Sequence, residues 1–353
     1  MKRRTLLRTM ALGTLAAPFT APLAAASSTQ SNTSSGTNPS ASGTSASMSS
    51  APPTQHAAPK ALDHQDIQTG IEAFAQLAPD TAVNLIIQGP TSQHVFSHQA
   101  DKQLFVGSAV KTFILAQFLK EVETGQLSEE TQFSIGPDTW SPGSLVFQHL
   151  QGTTTGRSVL EAMIQHSDNT ATDIAINAVG AEKVRALIHE AGLTKTQIPD
   201  STRKLFSYLA GAPSGTDIGW QGMQDLEKDI YPGEVRHAVN LEQSMLSTAS
   251  EMSRWYEHVL SGKVFSKTET LAEFKRVSFN TKMVPANTLA YGKGGSIDWE
   301  GFHCFCLAGQ MLQHERTTSF CFIINWEGPN EDVPQVFERF LEKGAQVLAR
   351  IDG

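Results

Sequence analysis

Cysteine is scarce in this chain: three residues in 353, Cys304, Cys306 and Cys321, all towards the C-terminus. An odd count in one short stretch describes no disulfide framework, and the spacing fits no zinc motif. A metalloprotease motif is missing too, because His189-Glu190 is not followed by a correctly spaced histidine. His94 and His98 fall in and beside a strand-like segment, where they read as surface residues rather than ligands. No metal and no other cofactor is expected. Basic clusters are also absent. With 27 Lys and Arg against 35 Asp and Glu, the formal net charge is −8. Nucleic acid and anionic membranes are therefore poor partners, which leaves a small molecule or a cell-wall fragment. The apolar run at 11–20 is interrupted by Pro18 and followed by Pro22, too short to span a bilayer. No internal repeat is found.

What the N-terminus does have is an export pattern. Met1 to Arg8 is basic with an Arg3-Arg4 pair, the apolar run follows, and Ala24-Ala25-Ala26 supplies small residues for cleavage. Residues 1–26 are expected to be a twin-arginine-type signal peptide, giving a periplasmic or secreted protein. Losing its four basic residues takes the net charge from −8 to −12. Residues 27–60 are Ser, Thr, Ala, Pro, Asn and Gly with almost no large apolar side chain, and read as a disordered linker. One folded domain is assigned to 61–353. Twin-arginine export moves folded protein, so the three cysteines are expected as buried thiols in paired strands. A bridge from Cys321 to one of the others after export is the alternative.

Within that domain, 81–88 reads as a strand, 89–92 as a turn and 93–96 as the return strand of a hairpin. Residues 109–124 form a helix that is apolar on most sides, hence a buried central helix, stopped by Gly125. Residues 159–190 are helical on both sides of Ser167-Asp168-Asn169. The stretch 198–222, rich in Gly, Pro, Ser and Thr, predicts a long loop. Thr248 opens another helix, over 250–260. Strands follow at 289–296, 302–310 and 319–326, and an amphipathic helix runs from 333 to about 350. Strands at both ends with helices between predict one sheet built from both ends of the chain.

Three segments carry chemistry. Ser108-Ala109-Val110-Lys111 starts the central helix, where free amides and the helix dipole favour developing negative charge. Ser and Lys three apart share a face there, so a neutral Lys111 can take the serine proton. A capping serine beside a snorkelling lysine is the competing reading. A second Ser-x-x-Lys, Ser201-Thr202-Arg203-Lys204, follows Pro199-Asp200 in the predicted loop, which makes Ser108 the candidate nucleophile. Ser167-Asp168-Asn169 is either a helix N-cap or a proton relay (Ser167) with a residue orienting Lys111 and substrate (Asn169). Tyr291-Gly292-Lys293-Gly294-Gly295-Ser296 adds a cation beside Ser167 and Lys111, with glycines that let a strand approach substrate closely. The amides of Ser296 and Ser108 would form an oxyanion hole. A phosphate-binding loop is disfavoured because Asn287 stands where its first glycine belongs.

In this order, with 59 residues between Ser108 and Ser167, the segments resemble the active site of class A β-lactamases and penicillin-binding proteins. The resemblance spans nearly all of 65–350. It implies an α+β fold: a five-stranded antiparallel sheet flanked by helices, an all-helical subdomain, and the site between them. It implies Ser108, Lys111, Ser167 and Lys293 as catalytic residues and Asn169, Trp140, Gly295 and Ser296 as substrate-binding residues. Trp140, of Trp140-Ser141-Pro142, stands where the family has an aromatic gate. Two departures matter. The omega-loop glutamate that activates deacylating water is replaced within 201–206 by a segment lacking carboxylates; Asp200, Asp217 and Asp225 are the alternatives nearby. Gly294 replaces a hydroxyl residue that helps to hold the β-lactam carboxylate, with His303 as a weak substitute.

The resemblance therefore implies a monomeric, secreted serine hydrolase that forms an acyl-enzyme on Ser108 and turns β-lactams over slowly. An esterase of the cephalosporin side-chain type and a peptidoglycan carboxypeptidase are the other enzyme readings. A β-lactam or wall-fragment sensor is the non-enzyme one.

Overall fold

A computed structural model describes residues 61–351 apart from Asn287 and His314. The expected signal peptide and linker lie outside the described residues. The described residues open with α1 (His64–Ala75), capped by Asp63 Oδ1 on the Asp66 amide at 3.0 Å. The hairpin β1 (Asp80–Gln88) and β2 (Gln93–His98) follows, then the short β3 (Leu104–Phe105). A 3₁₀ turn, Gly107–Val110, runs directly into α2 (Lys111–Glu123). The helical part comprises β4 (Gln132–Ile135), β5 (Gly152–Thr155), α3 (Gly156–Gln165), α4 (Asn169–Val179), α5 (Ala181–Glu190), α6 (Thr202–Leu209) and α7 (Gly219–Leu226). The chain then returns through β6 (Leu246–Ser247), α8 (Ala249–Leu260) and α9 (Thr268–Ser278). Strands β7 (Leu289–Trp299), β8 (Phe302–Gln313) and β9 (Arg316–Glu327) precede α10 (Val333–Ala349).

The main sheet has the order β2-β1-β9-β8-β7, antiparallel throughout. It joins strands from both ends of the described residues and leaves β7 at one edge. Both faces are covered, so its inner strands are nearly continuously apolar rather than alternating. Alternate residues still part company. Cys304, Cys306 and Ala308 of β8 enter the larger core with α2 and α8, whereas Phe305 and Leu307 enter a second core under α1 and α10. Helix α2 is buried along almost its whole length, as its all-round apolar sequence requires. Trp255 of α8 donates to Thr112 Oγ1 of α2 at 3.0 Å, a buried polar link between the two helices.

The predicted loop at 198–222 is wrong in part: it contains α6 and the start of α7. Its glycines and prolines lie mostly at 211–219, so averaging over the stretch hid an eight-residue helix with Leu205, Phe206 and Leu209 on one face. Ser201 is consequently the N-cap of α6, its Oγ accepting from the Lys204 amide at 3.0 Å, and not a loop residue. Helices α1 and α9 were not expected, and β7 and β8 run three residues further than the alternation suggested. All three cysteines are buried free thiols in β8 and β9. Among the described residues no helix is long and apolar enough to cross a membrane.

Candidate active site

Ser108 sits in the 3₁₀ turn that begins the central helix, with its residue 7 % exposed. The approach to it is clamped. Asn325 of β9 places its side-chain amide along Phe105, accepting from Phe105 N and donating to Phe105 O, both at 2.9 Å. Val106 N donates to Met245 O at 2.9 Å. Gly107, at φ 54°, then turns the chain into the helix; a Cβ there would lie 2.8 Å from Ser296 N.

Lys111, fully buried, is one helical turn from Ser108. Its Nζ donates to Ser167 O at 2.6 Å, Asn169 Oδ1 at 2.8 Å and Ser167 Oγ at 3.4 Å. Burial pushes its pKa down to about 7, against the pull of the Asp168 and Asp173 carboxylates. Lys293 of β7, also buried, donates to Ser167 Oγ at 3.0 Å and to Gly294 O at 2.7 Å. Burial holds its pKa well below the ordinary lysine value, and the neighbouring Lys111 and Lys282 cations push the same way. Ser167 adopts φ 57°, a left-handed conformation that costs a non-glycine residue about 1 kcal/mol. That conformation places its hydroxyl between the two amines and its carbonyl on Lys111.

Asp168 takes the N-cap role that the motif also allowed. Its Oδ1 accepts from Ala171 N, and its Oδ2 accepts from Val146 N and Phe147 N at 2.8 and 2.9 Å. Asn169 divides its amide: Oδ1 receives Lys111, and Nδ2 donates to Pro142 O at 2.6 Å. A substrate amide would have to share or displace the Pro142 contact.

On the other wall, Gly295 lies so close to the 3₁₀ turn that a Cβ would overlap Val106 O and stand 2.8 Å from Ser108 N. Together with the approach of Gly107 to Ser296 N, this brings the Ser108 and Ser296 amides to one place. Ser108, Asn169, Thr202, Phe206 and Ser296 line a common cleft.

Trp140 adjoins the site through its chain neighbours, Ser141 on Thr202 and Pro142 on Asn169. Its indole donates to Leu150 O at 2.8 Å and packs edge-on against His149 and Trp220. His303 shares the sheet face of Phe305 and Trp326, opposite to Lys293, with Nε2 2.9 Å from Gly328 O. It cannot serve a substrate carboxylate beside Lys293. The nearby aspartates are engaged as well: Asp200 with Arg185, Asp217 with Arg203, and Asp225 with Lys228. Sequence reasoning missed Asp173, a buried carboxylate on α4 that accepts from Thr202 N and Arg203 N at 2.6 and 3.1 Å. Burial raises its pKa, although the surrounding hydrogen bonds oppose this. A signal existed: Asp173 stands four residues after Asn169 on one helix face, in an otherwise largely apolar run.

The fold is shared with solved β-lactamases. A β-lactamase from Sphaerobacter thermophilus superposes with a TM-score of 0.63 at 17% identity, covering 83% of this chain and 98% of that one. One from Chitinophaga pinensis gives 0.62 at 16%, covering 81% and 98%. A variant of PBP-A, in acyl-enzyme complex with penicillin G, gives 0.60 at 16%, covering 81% and 96%. No curated protein matches by sequence. Residues 66–287 match the model of the beta-lactamase enzyme family, well over half of the chain. With these segments, this sheet and that match, the chain belongs to the beta-lactamase enzyme family.

Proposed function

We propose that the protein is an exported serine hydrolase that acylates Ser108 and opens β-lactams slowly. The observation that carries this reading is the pair of buried amines on Ser167 beside a serine at a helix start. A neutral Lys111 keeps two N–H groups, enough for Ser167 O and Asn169 Oδ1, and frees a lone pair for the Ser108 proton. Ser108 Oγ attacks the lactam carbonyl, and the developing oxyanion meets the Ser108 and Ser296 amides. Ser167, polarised by Lys293, passes a proton to the departing nitrogen. A PBP-A variant forms an acyl-enzyme with penicillin G on this fold, and the same adduct is expected here. Slow turnover is supported by the engagement of Asp200, Asp217 and Asp225 away from Ser108.

A neutral ester is the second reading. Gly294 supplies no hydroxyl for a carboxylate, His303 is on the far face, and Phe105, Leu205 and Phe206 give the cleft an apolar part while Asp298 adds an acidic group to its lining.

Intact mass of the purified protein, followed over time with a cephalosporin that carries an ester side chain, tests both. A persistent adduct mapped to Ser108 is the expected result, and Ser108→Ala should form none. An intact ring with a cleaved ester would favour the esterase, and unchanged drug without adduct would overturn the β-lactam reading.

A further inference from the structure

The acyl-enzyme needs a water to clear it, and the usual carboxylate is missing from the segment over the cleft. Thr202, the first residue of α6, lines the cleft beside Ser108 and Asn169. Its Oγ1 is 2.8 Å from Ser141 Oγ and 3.4 Å from Asn169 O. Behind these hydroxyls lies Asp173, whose residue is only 3 % exposed and whose carboxylate interacts with both the Thr202 and the Ser141 side chains. The guanidinium next to it does not neutralise it, because Arg203 is turned to Asp217 and Asp138 O. A buried carboxylate that meets hydroxyls on the wall of the reacting cleft is placed to take a proton through them.

We infer that the Thr202 hydroxyl holds the deacylating water against acyl-Ser108, with Ser141 and Asp173 as positioning residues that orient this hydroxyl and carry away its proton. The inference rests on the acyl-enzyme reading above. Water oxygen bonds to the acyl carbon as its proton moves to Thr202 Oγ1, the Thr202 proton moves to Ser141 Oγ or directly to Asp173, and any Ser141 proton moves to Asp173. Collapse breaks the bond from the acyl carbon to Ser108 Oγ. The proton returns to Ser108, so the products are a carboxylic acid, a free serine hydroxyl and an ionised Asp173. A three-member path with two neutral hydroxyls is a weaker base than a carboxylate on the water itself, which agrees with slow clearance.

The competing role for Asp173 is purely structural, as the cap of α6. Single-turnover kinetics separate the two. A penicillin is mixed with each variant, and adduct formation and adduct loss are read by intact mass. Thr202→Val keeps shape and removes the hydroxyl; Thr202→Ser restores it. Asp173→Asn keeps an oxygen to accept an α6 amide but loses the charge. The expected result is adduct on Ser108 throughout, cleared at least tenfold more slowly in Thr202→Val and Asp173→Asn, with Thr202→Ser within about threefold of the parent. Melting temperatures check folding. Clearance by Thr202→Val as fast as the parent overturns the relay alone. Failure of the parent protein to form any Ser108 adduct overturns the acyl-enzyme reading, and the relay with it.

Discussion

Lys111 and Lys293, from a central helix and an edge strand, aim their amines at one atom: their Nζ atoms stand 3.4 and 3.0 Å from Ser167 Oγ. Two buried ammonium groups around one hydroxyl are unfavourable: burial lowers the proton affinity of both, and the Lys111 charge lowers that of Lys293 further. The acylation rate should therefore rise with pH as Lys111 loses its proton, with a midpoint near 7. Below that midpoint the amine is charged and cannot accept the Ser108 proton. Stopped-flow acylation from pH 5 to 9 checks the limb, and Lys111→Arg, which stays charged, should lose it together with most of the rate.

The same depressed pKa has a stability consequence. Between about pH 7 and the ordinary lysine value of 10.5 the unfolded chain holds a proton on Lys111 that the folded chain has released. The unfolded state binds more protons there, so the penalty of burying the Lys111 charge is relieved progressively and stability rises with pH through that window. Urea midpoints at pH 7, 8 and 9 should show a positive slope that is shallower in Lys111→Met. An equal slope in both proteins would assign it to other groups.

Gly295 has no room for a side chain against Val106 O and Ser108 N. Gly295→Ala should push β7 away from the 3₁₀ turn and separate the two oxyanion amides. Losing one such donor costs about 100- to 1,000-fold in rate. Single-turnover acylation, with circular dichroism to verify the fold, is the measurement.

Ser201 fits the Ser-x-x-Lys pattern as well as Ser108 does, but its hydroxyl caps α6. Ser201→Ala should cost roughly 1 kcal/mol in urea unfolding and leave the adduct on Ser108. Loss of labelling in this variant, with Ser108→Ala still labelled, would reverse the assignment of the nucleophile.

Asn325 imitates a strand neighbour for Phe105. Asn325→Leu leaves the buried Phe105 N–H without its partner, and should cost about 1–3 kcal/mol in urea unfolding. Because Phe105 leads into the turn that holds Ser108, acylation should slow as well.

Local periodicity made much of this legible in the residues. The β1–β2 hairpin, the buried helix after Ser108, the break at Ser167 and the three C-terminal strands all follow from patterns a few residues long. The missed helices show the limit of such patterns. Helix α6 is two turns long and adjoins a glycine-rich stretch, and α1 and α9 are short amphipathic helices whose faces count only once there is a sheet or helix to cover.

By itself the sequence determined the candidate side chains and their order, because Ser-x-x-Lys at a helix start and Ser-Asp-Asn at a helix break are local arrangements. Only the tertiary structure decided that Lys111 and Lys293, 56 and 126 residues from Ser167, converge on its hydroxyl. It also decided that Asn169 is held by Pro142, that the Trp140 indole is anchored on Leu150 O, and that Asp173 sits behind Thr202. The physical reason is burial. A proton affinity, and the partner a polar group finds, depend on which distant segments exclude water around it, and packing alone brings those segments together.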